Sequence, residues 1–194
     1  MAYVLKVPLS KMVNPYQDHQ RVYAATNGGR PVWRRYADHA IVVSPQVAES
    51  APAGVVHKAY EPSPRSGQRV QFSLLADISV SRGADGHTKR IDPIVAARQA
   101  RGPSASWREL AFELGPPWLQ AKGQRNGFRL VSLSDLSYDT LEVIRKGNRL
   151  RFGIIDYRGQ LEVTDPELFR TAMLAGIGHA KSWGCGLLLC QRID

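Results

Sequence analysis

Apolar positions recur early in the chain, and Ala2-Tyr-Val-Leu-Lys-Val7 predicts an opening strand. Asn14-Pro15 then supplies an N-cap and a proline at the first helical position, which predicts a helix to about Thr26. Asn27-Gly-Gly-Arg-Pro31 breaks that helix. Val32 to Tyr36 and Ala40 to Val43 follow as two strands joined across Ala37-Asp38-His39. From Gln46 to Ser66 the composition turns to Ala, Pro, Ser and Gly, so a short helix at best and an irregular connection are expected. Gly67-Gln-Arg-Val-Gln-Phe-Ser-Leu74 resumes the apolar alternation and reads as the strand that closes a first unit.

Residues Ser79 to Arg90 are polar and Gly-bearing, which marks a boundary or a mobile loop. Ser106-Trp-Arg-Glu109 has the spacing of a capping box, so a second helix starts there, is interrupted near Gly115-Pro-Pro117 and continues to about Gly123. Phe128 to Leu133 reads as a strand, Leu141 to Ile144 and Arg149 to Ile155 as a hairpin around Lys146-Gly-Asn148, and Gln160 to Val163 as a further short strand. Asp165-Pro166 caps a last helix with Leu168, Phe169, Ala172 and Met173 on one face; it stops at Gly176, and Leu187 to Cys190 returns as a buried strand. The order of elements fits two β-α-β-β-α-β units. The expected fold is α+β, tandem ferredoxin-like domains with antiparallel sheets, divided as residues 1–78 and 79–194.

Charge narrows the choice of partner. Lys and Arg number 26 against 17 Asp and Glu, a net +9, and nineteen of the basic residues are Arg. A planar guanidinium fork suits phosphate and base edges, so a nucleic acid is expected before a membrane. No stretch approaches the ~20 apolar residues of a membrane span, and the N-terminus lacks a basic-then-apolar signal, so a cytoplasmic protein is expected. Cys185 and Cys190 are too few for a zinc site or a disulfide framework and read as reduced, packed thiols.

Three constellations could carry chemistry. Tyr16 and His19, three apart in the first two turns of the first helix, project from nearly one face beside its positive dipole end. There they can share the proton transfers of RNA scission by a ribose 2′-OH, or Tyr16 can pack on the core while His19 is a solvated helix residue. Arg145, Lys146, Arg149 and Arg151 surround the hairpin turn, where they can track phosphates or guard a solvated strand edge. Gly176-Ile-Gly-His-Ala-Lys181-Ser-Trp-Gly184-Cys-Gly186 is either a phosphate cradle or a helix-to-strand turn. It lacks the Gly before Lys of a Walker loop and the third Gly of a dinucleotide fingerprint. No histidine spacing suggests a metal and no Gly-x-Ser-x-Gly suggests a serine hydrolase, so no cofactor is expected.

Taken in order, Asn14-Pro-Tyr-x-x-His19, Gly67-Gln-Arg-Val-Gln-Phe-Ser-Leu-Leu-Ala76 and Gly176-Ile-Gly-x-x-Lys181-x-x-Gly-x-Gly186-Leu-Leu span nearly the whole chain. In these motifs the chain resembles the CRISPR-associated endoribonucleases of the CasE type, the repeat-processing subunits of subtype I-E systems. The resemblance implies recognition of a repeat hairpin in precursor CRISPR RNA and one metal-independent cut per repeat, leaving 2′,3′-cyclic phosphate and 5′-OH ends. It implies that His19 transfers the proton and Tyr16 assists at the 2′-OH. Arg21, Arg69, the Arg145 to Arg151 hairpin, and Lys181 with Gly176, Gly178, Gly184 and Gly186 would contact RNA. It also implies that the product RNA is kept and that the chain joins a Cascade-type surveillance complex, while a binding subunit that does not cut remains the alternative. Members can carry a basic residue directly after the histidine and another further along the helix, where this chain has Gln20, Arg21 and then Ala24. The cation that stabilises the transition-state phosphate is therefore open, with Arg21 and Lys181 as candidates.

Overall fold

Two four-stranded antiparallel sheets organise the computed structural model, which describes residues 1–84, 87–145 and 147–193. The first sheet is built from β1 (Ala2–Pro8), β2 (Val32–Arg35), β3 (His39–Ser44) and β4 (Val56–Tyr60), in the order β2-β3-β1-β4. Helix α1 (Pro15–Ala25) covers it. Asn14 Oδ1 accepts from Gln17 N at 3.1 Å, which satisfies a donor the helix cannot, and Thr26 stops the helix. Leu5, Val7, Val22, Ala25, Trp33, Ala40 and Val42 form the core between helix and sheet.

Strand β4 arises inside the segment expected to be irregular. Its first four residues are exposed, so it carries no apolar alternation, and it exists because its backbone pairs with β1 from Lys6↔Val56 to Ala2↔Tyr60. An edge strand of this kind leaves little trace in residue types.

A second correction concerns β5 (Arg69–Asp77). Its alternation is as expected, with Val70, Phe72, Leu74 and Ala76 buried, but it does not close the first unit. It lies in the second sheet, order β10-β5-β9-β8, where Leu74 pairs with Tyr157 on one side and Leu188 on the other. Alternation reveals that one face is buried, and says nothing of which sheet buries it. The change of sheet therefore falls within residues 61–68, ahead of position 78.

The rest of this unit is α3 (Trp107–Arg125), β8 (Phe128–Arg145), β9 (Asn148–Val163), α4 (Pro166–Ala175) and β10 (Leu188–Arg192). With β5 these complete a β-α-β-β-α-β order, into which a hairpin of β6 (Val80–Ala84) and β7 (His87–Ile91) and helix α2 (Pro93–Arg101) are inserted. The hairpin occupies the stretch read as a boundary or mobile loop. Helix α2 begins with an Asx-Pro cap like that of α1: Asp92 Oδ1 accepts from Ile94 N and Val95 N at 2.8 and 3.2 Å.

Two further expectations change. Pro116 and Pro117 do not interrupt α3. Proline removes the donors to the carbonyls four residues earlier, Phe112 and Glu113, and both of those residues are exposed. The four short strands expected between 128 and 163 are two long ones, β8 and β9, with register shifts at Leu130/Ser132 and Leu133/Asp135. Polar residues such as Ser137, Asp139, Asp156 and Arg158 lie within the strands. On α4, Phe169, Ala172 and Met173 are buried while Leu168 is exposed.

The two sheets are tied together. Arg34 of β2 donates through Nη2 to Asp156 Oδ2 of β9 at 2.7 Å, and Val32, Val43 and Leu187 form an apolar cluster.

Candidate active site

Helix α1 is held at its start by Asp18, whose buried carboxylate accepts from Arg35 Nη1 at 3.0 Å. Burial raises the Asp18 pKa, and the Arg35 charge opposes the rise. With Asp18, Val22 and Ala25 turned inward, His19 and Tyr23 share another face four residues apart.

The C-terminal Gly-rich segment meets that face. After α4 the chain bridges His179 to Asp77, enters the left-handed region at Ala180 (φ 52°) and forms a 3₁₀ turn over Lys181–Trp183. Ser182 O lies 2.9 Å from His19 Nδ1. A carbonyl only accepts, so Nδ1 carries a proton, and in the neutral imidazole Nε2 keeps the lone pair. The imidazole packs against the Tyr23 ring at 4.2 Å and the Trp183 ring at 4.8 Å between centroids, and Tyr23 Oη lies 3.3 Å from Ser182 Oγ.

These surroundings set the charge state of His19. Burial lowers its pKa from the usual 6.5, the Ser182 carbonyl pulls it upward, and the Arg145 charge lowers it further. Arg145 ends β8, which lies against α1, and Val143, two residues before it, is fully buried. The hairpin therefore packs at Val143, while Ile144, Arg145, Arg149 and Arg151 beyond it are exposed.

The remaining site candidates are dispersed. Tyr16 is half-buried one turn before His19. Arg21 leaves α1 in another direction, donating from Nε to Pro8 O at 2.6 Å and from Nη2 to Ala53 O at 3.3 Å. Arg149 and Arg151 flank Glu142 at 3.3 and 2.9 Å; Arg69 is 3.8 Å from Glu162; Lys146 lies outside the described residues. Lys181 Nζ donates to Ala175 O at 2.7 Å, and burial followed by the Lys122 charge lowers its pKa. Among the described residues no three His, Cys, Asp or Glu groups come together to hold a metal.

Gly176, Gly178, Gly184 and Gly186 all adopt positive φ. A Cβ on Gly176 would lie 2.3 Å from Val32 Cγ1, and one on Gly184 would lie 3.1 Å from the Trp33 ring, so the segment is seated on β2. Gly176→Ala is expected to cost roughly 1–3 kcal/mol through the clash and the left-handed backbone. A lower urea midpoint with unchanged slope is the signature, and an unchanged midpoint would refute it.

Sequence reading missed Tyr23, Ser182 and Trp183. Tyr23 was accessible through its i+4 spacing from His19, and Trp183 as an aromatic among glycines. Ser182 acts through its carbonyl, which every residue has.

Residues 8–192 match the model of a family described as CRISPR associated protein. The chain is 29% identical over 143 residues to the CRISPR-associated endoribonuclease Cse3 of Thermus thermophilus, covering 68% of this chain and 59% of that relative. It thus spans less than two thirds of the relative's length. Its fold is similar to that of Thermus thermophilus Cse3 bound to an RNA representing a pre-cleavage complex, with TM-score 0.71, 23% identity and 98% of each chain covered. It is also similar to Cas6e from Escherichia coli K-12, with TM-score 0.64, 18% identity and 100% of each chain covered.

Proposed function

The chain belongs to the CRISPR-associated protein family, and from that membership we propose that it is a metal-independent endoribonuclease cutting precursor CRISPR RNA at repeat hairpins. The observation that carries this reading is His19, whose Nδ1 lies 2.9 Å from the Ser182 carbonyl, so that Nε2 is the nitrogen left to take a proton in the neutral ring, beside an arginine-rich hairpin.

In this reading Nε2 takes the proton from a ribose 2′-OH as its oxygen attacks the adjacent phosphorus. The bond from phosphorus to the 5′-oxygen breaks, that oxygen takes a proton from solvent, and Tyr16 assists at the 2′-OH. The products are a 2′,3′-cyclic phosphate and a 5′-OH. Arg145, whose charge already reaches His19, replaces Arg21 and Lys181 as the candidate to stabilise the phosphate, because those two are engaged with backbone carbonyls. Arg149 and Arg151 grip the RNA stem. Retention of the product RNA in a Cascade-type complex and a cytoplasmic address belong to the same proposal; no helix among the described residues is long and apolar enough to cross a membrane.

The test is incubation with repeat-hairpin RNA in EDTA, with analysis of the product ends. Cleavage to cyclic phosphate and 5′-OH is expected, and a 2′-deoxy substitution at the scissile nucleotide should abolish cutting while preserving binding. Tight binding of all-ribose RNA without cutting would favour a hairpin-holding subunit.

The pH dependence has a definite sign. A lowered pKa keeps His19 neutral to more acidic pH, so a base role is lost only as pH falls through that lowered value. Single-turnover cleavage should therefore have an acid limb centred below 6.5. A rate that instead falls as pH rises through this region would assign the protonated imidazole to the reaction.

A further inference from the structure

Three contacts converge on His19 from two elements far apart in the chain. The Ser182 carbonyl accepts from Nδ1, Trp183 packs on the imidazole from the same turn, and Tyr23 packs on it from α1. The turn has little freedom of its own. Trp183 N donates to Ala180 O at 2.9 Å, Gly184 N to Lys181 O at 3.3 Å, and Lys181 Nζ ties the turn to the end of α4 at Ala175 O. Gly184 lies against the Trp33 ring, which is buried in the first core.

Trp183 itself is half-buried, like His19, and among the described residues it belongs to none of the buried clusters, so its side chain contributes little to the core. What it does touch is the imidazole. An aromatic ring there removes water from one side of His19 and restricts rotation about its χ2, which is otherwise broad. We infer that Trp183 is a positioning residue for RNA cleavage: together with the Ser182 carbonyl it holds His19 as the Nδ1–H tautomer with Nε2 presented to substrate. The C-terminal turn thereby acts through His19. The inference deepens the endoribonuclease reading and, for its catalytic consequence, rests on it.

The groups around His19 pull in different directions. Arg145 from β8 opposes a positive imidazole and the Ser182 carbonyl favours one. Tyr23 supplies a ring and a hydroxyl; Asp18 is turned to Arg35, and the Lys181 ammonium sits on Ala175 O. Shielding by Trp183 adds to the side that favours neutrality, so removing the ring should ease protonation.

The experiment has two arms on the full chain. In the first, long-range ¹H–¹⁵N spectra of ¹⁵N-histidine-labelled protein follow His19 through a pH titration without RNA. Wild type should show protonated Nδ1 and a midpoint below 6.5. Trp183→Ala should mix the tautomers and move the midpoint upward, and Trp183→Phe should restore both. In the second arm, single-turnover cleavage by Trp183→Ala should fall about 10- to 100-fold, the scale of a misplaced catalytic group. Its acid limb should shift upward with the NMR midpoint, and Trp183→Phe should recover the rate. An unchanged tautomer and midpoint in Trp183→Ala would overturn the inference, whatever happens to the rate. Should the alanine variant unfold, Trp183→Leu keeps bulk without a ring and gives the same readouts. If the NMR responds while wild type cuts no repeat RNA, the positioning of His19 stands and the endoribonuclease reading fails.

Discussion

His19→Ala is expected to reduce single-turnover cleavage of repeat RNA by roughly 10²- to 10⁴-fold, the contribution of a positioned proton-transfer group. The loss should be confined to chemistry. His19 is half-buried, its hydrogen-bond acceptor is a backbone carbonyl, and the core of the first unit is made by Leu5, Val7, Val22, Trp33 and Val42. Affinity for a 2′-deoxy, uncleavable repeat RNA should therefore be preserved, because Arg145, Arg149 and Arg151 remain. Rapid-quench kinetics with excess protein separates the two quantities. Equal cleavage by mutant and wild type would remove His19 from the mechanism, and a parallel loss of affinity would make it a binding residue.

Asp156→Ala is expected to destabilise the chain by about 3 kcal/mol or more, the scale seen when one member of a buried pair is removed. Arg34 is the reason. Its side chain is only 9% exposed, Asp156 is its ion-pair partner, and its Nη1 has no partner among the described residues. Asp156 is 23% exposed and also lies 3.6 Å from Arg158, so the lower end of the range is the better expectation. Removing the carboxylate strands a charge in the seam between the sheets. Replacing both residues should restore much of the loss, since Arg34→Met with Asp156→Ala leaves no buried charge to solvate. Urea unfolding of the single and double variants measures this, and a single-variant cost under ~0.5 kcal/mol would show the pair to be effectively solvated. A functional effect should follow. Arg34 and Asp156 join β2 to β9, and β9 is half of the hairpin that brings Arg145 to His19, so cleavage should fall with stability.

Where sequence reading succeeded, the determinant was local. Asn14-Pro15 starts α1 because the cap side chain and the proline act within three residues. The same chemistry at Asp92-Pro93 starts α2, a helix absent from the sequence-based expectations. Where it fell short, the determinant was distant. β4 has exposed residues and is a strand only through β1; β5 shows the right alternation but pairs with β9 and β10. Breaks expected from polar residues between 133 and 160 vanish because each strand supplies the other's hydrogen bonds.

The site divides in the same way. Residue type and local order alone place a histidine in the second turn of a capped helix and a glycine-rich segment before the last strand, and make the chain basic. Each follows from residue type and spacing over a few positions. That these meet is a property of the folded chain. The Ser182 carbonyl reaches His19 across 163 positions, Trp183 and Tyr23 pack on one imidazole, and a hairpin of the second sheet brings the charge of Arg145 to a helix of the first. A carbonyl has no signature in residue type, and long-range contacts depend on how two whole sheets pack, so that part of the site comes into view only when the chain is folded.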